Sequence, residues 1–488
     1  MSNKLGRNHP CHCGSEKKYK KCCLTKDERR AELKRRIATV SRKDLISGPY
    51  KKCSMCRENT FGVFIHTGGR GYLRECTTCG HKEEHSYPSI QKKIIYLDQF
   101  FISNIAKALD PQAQSHIKVL EQPFWIDAYT KLDILSKKNL TTCPDSSFHT
   151  DESLLSGDPP YKMLKRVYEH LSHGCTFYDY NTITRFQVQQ HLENYIKGEP
   201  EKPLELDATT VIHGDPHEWR GGMGISINMR PYDGQLETIH QDRKAWYEGM
   251  KPVFERWQKE KGRDFMDWFN EEVSAFGKAT IKAHVAFLEK RVSLSQKYAD
   301  QTLAGQEHDI DLNDIFPPPS SQMIDDIIRI MKGRGVLDVQ ESYRKIAEYL
   351  QSKYIASIPT VHISSLLFAA LARKAANGQK TYPNIGTITD VNAIASLLPY
   401  CDAMFVDNAM AALLNEQPLK KDIERYGTKI FCLNTKEQFL AYLDEIESTA
   451  SPEHLAVVAD SGGEVEPYMS LLINERQDEE DEDILESK

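Results

Sequence analysis

The sequence predicts an α/β protein in which a parallel sheet flanked by helices is preceded by two small zinc modules. Eight of the twelve cysteines stand in two clusters within the first 79 residues. Short apolar runs that end at aspartates follow, and segments with helical periodicity come after them. At 488 residues the chain is also longer than one ordinary domain.

The amino-acid composition indicates which class of protein this is. The chain is 40% apolar and 27% charged, as is usual for globular proteins. Its apolar runs are too short to span a bilayer, and its first residues lack the apolar core of a signal peptide. We therefore expect a cytoplasmic protein without membrane contact. In that reducing compartment, clustered cysteines indicate metal sites rather than disulfides.

The net charge of −7 hides an asymmetry between the two ends of the chain. Residues 1–93 contain 22 Lys and Arg against 9 Asp and Glu, a net charge of +13. The remainder holds 41 basic and 61 acidic residues, a net charge of −20. A basic segment on an acidic body predicts an anionic partner, such as RNA, DNA or a ribosome surface. Well-solvated lysine-rich helices are the alternative explanation.

The first cysteine cluster consists of Cys11, Cys13, Cys22 and Cys23, with the spacing C-x-C-x8-C-C. Four thiolates bind Zn²⁺ tetrahedrally, and a C-x-C turn presents two sulfurs together. The segment GRNHPCHCGSEKKYKKCC resembles the SEC-C motif in its Pro-Cys-x-Cys-Gly-Ser turn and its Lys-Lys-Tyr-Lys-Lys run. This resemblance implies zinc binding and docking to a ribosome, a protein partner or nucleic acid.

The second cluster consists of Cys53, Cys56, Cys76 and Cys79, with the spacing C-x2-C-x19-C-x2-C, which predicts a zinc ribbon. Four thiolates close a zinc site, so both clusters are expected to be structural and to perform no chemistry. Neither segment has enough apolar residues for its own core, so we expect zinc to supply most of the folding energy. The other cysteines are expected in the protein core: Cys143, Cys175, Cys401 and Cys432.

Carboxylates follow the predicted strands. The apolar strand Ile94–Leu97 ends before Asp98, and a second apolar strand, Ala403–Val406, ends before Asp407. Asp390 stands three residues after Thr387 in a pattern typical of a capping box, which predicts a helix start there. Open α/β sheets place their active sites at the carboxyl ends of strands.

A further strand candidate, Leu140–Cys143, precedes a stretch that contains Asp145, His149 and Glu152. Converging carboxylates repel one another unless they are protonated or bound to divalent cations. Oxygen ligands suit Mg²⁺ or Mn²⁺, and such sites serve phosphodiester hydrolysis. Asp402 is an alternative ligand that is expected to precede its strand and face solvent.

Taken in order, these elements resemble the PIN-like nuclease family over about residues 92–155 and 355–445. The resemblance implies that Asp98, Glu152, Asp390 and Asp407 bind catalytic Mg²⁺ or Mn²⁺ and that RNA is cleaved to leave 5′-phosphate ends. By the same resemblance, the Ser-x-x-His-x-x-Glu motif that ends at Glu152 implies that His149, like Asp145, lies beside the metal ligands. There His149 either supports the site or caps a helix. Val406 replaces the Thr or Ser that usually precedes the last acid.

The predicted boundaries are a SEC-C zinc motif (1–26), a basic helical linker (27–48), a zinc ribbon (49–90), the first part of a PIN-like domain (91–155), a mostly helical insertion (156–355), the second part of that domain (356–447) and a C-terminal segment with an acidic tail (448–488).

The sequence thus predicts a metal-dependent nuclease, with RNA favoured over DNA, whose zinc modules dock on nucleic acid or a ribosome. The alternative is a non-catalytic adaptor, in which a degenerate PIN-like body binds nucleic acid or protein. Metal-dependent cleavage separates the two hypotheses.

Overall fold

A computed structural model describes residues 6–462, except 12, 14, 16, 26–27, 29–41, 67–69, 114, 150–157, 220–247, 307–315, 337 and 384. The chain divides into two compact units. The first contains residues 1–89, 219–223 and 451–488, and the second contains residues 90–218 and 224–450. Within the described ranges, no helix is long and apolar enough to cross a membrane.

The first unit contains a four-stranded antiparallel sheet in the order β1-β2-β3-β4. Its strands are β1 (Ser47–Lys51), β2 (Phe61–His66), β3 (Gly71–Cys76) and β4 (Lys82–Ser86). A helix near the end of the chain, Pro452–Ser461, belongs to the same unit and begins at Ser451, whose hydroxyl accepts a hydrogen bond from the His454 amide. The C-terminal segment therefore returns to the ribbon, which the sequence did not reveal.

A buried ion pair joins that helix to the ribbon. Arg74 in β3 is only 1% exposed, and its guanidinium donates to the Asp460 carboxylate over 2.8 Å and to the Phe61 carbonyl over 2.8 Å. Tyr72 and Lys51 also donate to Asp460. Burial raises the pKa of Asp460, but hydrogen bonds from Lys51 and Tyr72 and the charge of Arg74 outweigh burial and lower it.

The second unit is built on a parallel sheet in the order β11-β10-β5-β6, next to a three-stranded sheet in the order β7-β8-β9. Leu97 of β5 pairs with Phe405 of β10, and Phe405 pairs with Phe431 of β11. The strands are β5 (Lys93–Leu97), β6 (Thr141–Thr142), β7 (Asp145–Ser146), β8 (Thr176–Phe177), β9 (Ile212–His213), β10 (Ala403–Phe405) and β11 (Lys429–Phe431).

Helices accompany the sheet along the chain. They are α1 (Gln99–Leu109), α2 (His116–Leu120), α3 (Phe124–Lys137), α4 (Asp158–Ser172), α5 (Tyr180–Ile196), α6 (Phe265–Leu303), α7 (Pro319–Gly333), α8 (Val339–Leu350), α9 (Pro359–Ala376), α10 (Ile385–Leu397), α11 (Asn408–Leu414), α12 (Leu419–Ile423) and α13 (Lys436–Ser448), followed by Pro452–Ser461, which is α14. Residues 248–259 are also helical.

Strand alternation explains why helices cover both faces of the parallel sheet. Ile95 and Leu97 belong to one buried cluster, which also contains residues of α1, α3, α4 and α13. Ile94 and Tyr96 belong to a second cluster, with residues of α5 to α12. Successive side chains of a strand point to opposite faces, so a strand buried on both sides is apolar throughout. The predicted α/β class with a parallel sheet is thereby confirmed.

The helical segment 156–355 shares its core with the sheet. Helix α4 contributes to the first buried cluster, and α5 to α8 contribute to the second. Two aromatic residues of this segment, Phe254 and Trp257, are each 1% exposed. These helices therefore form part of the layers that cover the sheet. The acidic tail and most of the basic linker lie outside the described residues.

We expect the Asp460→Ala substitution to destabilise the first unit by about 3 kcal/mol, since it leaves the buried Arg74 charge unpaired. Asp444→Ala is the control, because its pair with Lys131 is exposed and is worth about 0.5 kcal/mol. Urea unfolding and protease susceptibility of the ribbon measure the effect.

The pKa of Asp460 is lower in the folded protein than in the unfolded chain. The carboxylate therefore stabilises the fold at pH values above the unfolded pKa, and this stabilisation is lost as the pH falls through the folded pKa. The difference between wild type and Asp460→Ala should therefore shrink in acid. Equal stability of the two proteins at neutral pH would contradict the ion pair's role.

Candidate functional site

The ribbon presents its four cysteines from two similar turns. The Arg57 amide donates to the Cys53 carbonyl over 3.0 Å, and the Gly80 amide donates to the Cys76 carbonyl over 2.9 Å. The residue after the second cysteine of each turn is left-handed, with φ of 62° at Arg57 and 72° at Gly80. Each turn thereby directs both of its thiols toward the other turn. Glycine adopts this conformation without strain, and Arg57 is an uncommon exception.

The SEC-C segment folds around its own cluster. The Cys11 amide donates to the Lys17 carbonyl over 2.8 Å, and the Tyr19 amide donates to the His9 carbonyl over 2.8 Å. A short 3-10 helix, Tyr19–Lys21, then leads directly into the last two cysteines. Tyr19 is 8% exposed and packs with the cysteines in a small cluster. The apolar contacts are few, as expected where a metal holds the fold.

The sulfur atoms of each cluster have the spacing of a zinc site. Within each cluster all four ligand atoms lie within 4.8 Å of one another. Four sulfurs placed tetrahedrally at 2.3 Å from zinc are about 3.8 Å apart. The Sγ distances are 3.4 Å for Cys11–Cys13, 3.4 Å for Cys13–Cys22, 3.8 Å for Cys22–Cys23, 3.6 Å for Cys53–Cys79 and 3.5 Å for Cys56–Cys76. Both donor sets therefore fit zinc.

Local hydrogen bonds favour a thiolate in each cluster. Burial raises the pKa of Cys76, but hydrogen bonds from the Thr60 hydroxyl and from nearby amides outweigh burial and lower it to about 5. A hydrogen bond from the Ser15 side chain is the main cause that lowers the pKa of Cys13 to about 6. The thiolate is the form that binds metal. The predicted core cysteines outside the clusters are all buried.

The surface of the SEC-C segment is basic. Five basic side chains in residues 7–21 are exposed, and among the described residues none of them forms an ion pair: Arg7, Lys17, Lys18, Lys20 and Lys21. Exposed positive charges that lie close together and are not paired with carboxylates create an electrostatic field that attracts polyanions.

In the second unit, Asp98 and Asp407 stand at a topological switch point. Strand β6, the next strand of this sheet in the chain, pairs with one edge of β5. Strand β10 pairs with the opposite edge of β5, and β11 lies beyond β10. Ligands of open α/β sheets bind outside the carboxyl ends of the strands at such a reversal. Asp98 follows β5, and Asp407 lies two residues beyond the end of β10. The register places their Cα atoms roughly 6 Å apart.

Both carboxylates also cap a helix. The Gln99 amide donates to Asp98 Oδ1 over 2.6 Å, and the Met410 amide donates to Asp407 Oδ1 over 2.6 Å. The Asp98 amide itself donates to the Phe405 carbonyl, which ties the start of α1 to the end of β10. These bonds fix both carboxyl groups at the edge of the sheet, next to the positive ends of two helices.

The structure gives less information about the other two predicted metal-binding acids, Asp390 and Glu152. Asp390 is the sixth residue of α10 rather than its start, so the expected capping box at Thr387 is wrong. Helix α10 belongs to the same buried cluster as Tyr96 and Met404, and it precedes β10 in the chain. Glu152 lies outside the described residues. Among the described residues, the two cysteine clusters are the only groups of three or more closely spaced metal-binding side chains.

Two further predicted residues form a pair near β5. His149 Nδ1 lies 3.1 Å from Asp145 Oδ1, and the His149 ring stacks on Tyr96 with the ring centroids 5.1 Å apart. Asp402, the alternative ligand, lies at the opposite end of β10, where it accepts hydrogen bonds from the Lys93 ammonium over 2.7 Å and the Ile94 amide over 2.9 Å. Asp402 is therefore removed from the site and has a structural role.

Comparison with known proteins identifies the N-terminal segment. Residues 7–25 match the SEC-C motif. The protein translocase subunit SecA of Desulforudis audaxviator is 71% identical over 28 residues, which are 6% of this chain and 3% of SecA. The UPF0225 protein GSU1048 of Geobacter sulfurreducens is 74% identical over 23 residues, 5% of this chain and 14% of that protein. The likeness thus spans a small part of each relative. No solved structure matches the chain.

We expect two zinc ions per chain by elemental analysis. Cys13→Ser and Cys53→Ser should each leave one ion, and the double variant should leave none, because each removes one of four ligands from a different site. Cys432→Ser is the matched control and should keep both ions, since that buried cysteine belongs to neither cluster. A single zinc in the wild type would contradict the assignment.

Proposed function

We propose that the chain is a metal-dependent nuclease of PIN-like architecture, most active on RNA, whose zinc modules hold the nucleic acid or dock on a ribosome. The observation that carries the proposal is the position of Asp98 and Asp407 at the switch point of the parallel sheet. Two fixed carboxylates at that edge suit a divalent cation, and Glu152 and Asp390 complete the proposed ligand set.

In this proposal the chain's own residues hold and orient the reacting groups. Asp98 and Asp407 each use Oδ1 to accept a backbone amide, so neither carboxyl group rotates freely. Mg²⁺ or Mn²⁺ bound there would act as a Lewis acid on the phosphodiester and lower the pKa of a bound water. The starts of α1 and α11 add positive potential where the phosphate would lie.

Oxygen ligands at this edge favour Mg²⁺ or Mn²⁺ over zinc, whereas the thiolate clusters favour zinc. The proposal therefore assigns two kinds of metal to two places in the chain. The cysteine sites close around their ions and serve binding, and the carboxylate site keeps open positions for water and substrate.

The docking part of the proposal rests on the exposed cations of the SEC-C segment. Arg7, Lys17, Lys18, Lys20 and Lys21 lie within one small zinc-stabilised module, so they would contact neighbouring phosphates together. Such contacts add affinity without sequence preference. Any selection among substrates would then come from the carboxyl edge of the sheet.

We expect purified protein to cleave labelled single-stranded RNA with Mn²⁺ or Mg²⁺ and to be inactive in EDTA. Asp98→Asn and Asp407→Asn should each lower the rate by about a hundredfold or more, since each weakens the binding of the metal that would stabilise the transition state. Asp402→Asn is the matched control because it lies at the other end of β10, and it should retain activity.

DNA of the same sequence, tested in parallel, reports the preference for RNA. Wild-type protein that binds RNA but does not cut it with any divalent metal would contradict the enzyme proposal and favour the adaptor hypothesis.

We expect a variant with Lys17, Lys18, Lys20 and Lys21 changed to Ala to bind single-stranded RNA more weakly at 50 mM salt. The slope of log affinity against log salt should fall by up to about 3, because each lost phosphate contact removes about 0.7. Zinc content must remain at two ions. Lys278→Ala with Lys282→Ala, two exposed lysines of α6, is the control. An unchanged slope would contradict docking through the SEC-C segment.

A further inference from the structure

His149 is held between two tyrosine rings in the interior of the second unit. The side chain is 2% exposed. Its ring stacks on Tyr96 of β5, with centroids 5.1 Å apart and planes 11° apart, and on Tyr168 of α4, at 4.6 Å and 27°. These two contacts, from a strand and a helix, fix the plane of the imidazole and the directions of its two nitrogens.

The two nitrogens of this ring have different surroundings. Nδ1 lies 3.1 Å from Asp145 Oδ1, so it carries the proton and donates to the carboxylate. Nε2 is buried and has no hydrogen-bonding partner within the described part of the chain. Leaving a buried polar atom unsatisfied is costly, and such an atom in a native fold calls for an explanation, of which a ligand contact is one.

His149 lies next to the proposed metal edge. Tyr96, which it stacks on, lies in β5 and precedes Asp98 by two residues. Tyr168, on its other face, donates from its hydroxyl to Gln99 Oε1 over 2.5 Å, and the Gln99 amide donates to Asp98. A series of contacts through Tyr168 and Gln99 therefore connects the imidazole to the Asp98 carboxyl group.

We propose that His149 Nε2 donates a hydrogen bond to a phosphate oxygen of the nucleic-acid strand bound at this edge, with Asp145, Tyr96 and Tyr168 as the residues that position it. The inference rests on the proposed function and deepens it, because it names the atom that recognises the substrate's phosphate. His149 thus acts as a substrate-binding residue, separate from the metal-binding acids.

The contacts of the ring fit a phosphate oxygen as the partner of Nε2. In the imidazolium form both nitrogens donate, one to the Asp145 carboxylate and the other to the phosphate oxygen. Tyr96 and Tyr168 stack on the two faces of the ring and hold its plane. A ribose hydroxyl could also accept from Nε2, but it is uncharged and would not form the charge-assisted hydrogen bond that a phosphate oxygen forms.

The test compares variants that differ in the two nitrogens. His149→Asn retains an amide near the Nδ1 position and has no group at Nε2, whereas His149→Gln places a donor near Nε2. We measure the affinity of full-length, zinc-loaded protein for a five-nucleotide single-stranded RNA and for DNA of the same sequence, with Ca²⁺ to prevent cleavage. His149→Asn should weaken binding of both strands by about tenfold or more, the effect of a charge-assisted hydrogen bond, and His149→Gln should restore most of it.

His362→Asn is the matched control. His362 lies in α9. Its Nε2 is also buried without a partner among the described residues, and its Nδ1 lies 3.0 Å from the Ala356 carbonyl oxygen. This variant should bind both strands like the wild type. Thermal unfolding of every variant shows whether a loss of affinity reflects a loss of fold, and His149→Gln keeps the test valid if His149→Asn does not fold.

Unchanged affinity in a folded His149→Asn, while the wild type binds, would overturn the inference and leave the proposed function intact. A loss confined to RNA would also overturn it, because it would indicate contact with a 2′-hydroxyl. Wild-type protein that binds neither strand would refute the proposed function and this inference together.

Discussion

The parallel pairing of β5 with β10 is the contact on which the second unit depends. It joins Leu97 to Phe405 across some three hundred residues of chain, and the backbone bond from Asp98 to Phe405 extends it by one residue. Because β6 lies beyond β5 and β11 lies beyond β10, this pairing is also where the strand order reverses. The same contact therefore joins the two halves of the sheet and brings the carboxyl ends of β5 and β10 together at the switch point.

The first unit depends on different constraints. Its sheet has little apolar surface to bury, and the two thiolate clusters supply the long-range connections that a larger core would otherwise provide. The ion pair of Arg74 with Asp460 adds one further connection, to the C-terminal helix α14. If zinc and this ion pair are the main constraints, the binding proposed for the first unit and the chemistry proposed for the second can be separated by mutation.

The sequence indicated those elements whose signal is local. The apolar runs before Asp98 and Asp407 and the spacing of the eight cysteines led directly to strands and clusters that the structure contains. Features that depend on residues far apart in the chain were harder to predict from the sequence. The position of Asp390 within α10 depends on where that helix begins, and Asp460 is one acid among seventy, with no local sign of its buried arginine. The roles of the carboxylates and of His149 stay predictions.

The most direct test of the account is a crystal structure of the zinc-loaded protein soaked in Mn²⁺, with anomalous data collected at the zinc and manganese edges. Our account predicts two zinc peaks within the cysteine clusters and at least one manganese peak bound by the Asp98 and Asp407 carboxylates, about 2 Å from their oxygens. Zinc peaks alone, with no manganese at the carboxyl ends of β5 and β10, would contradict it.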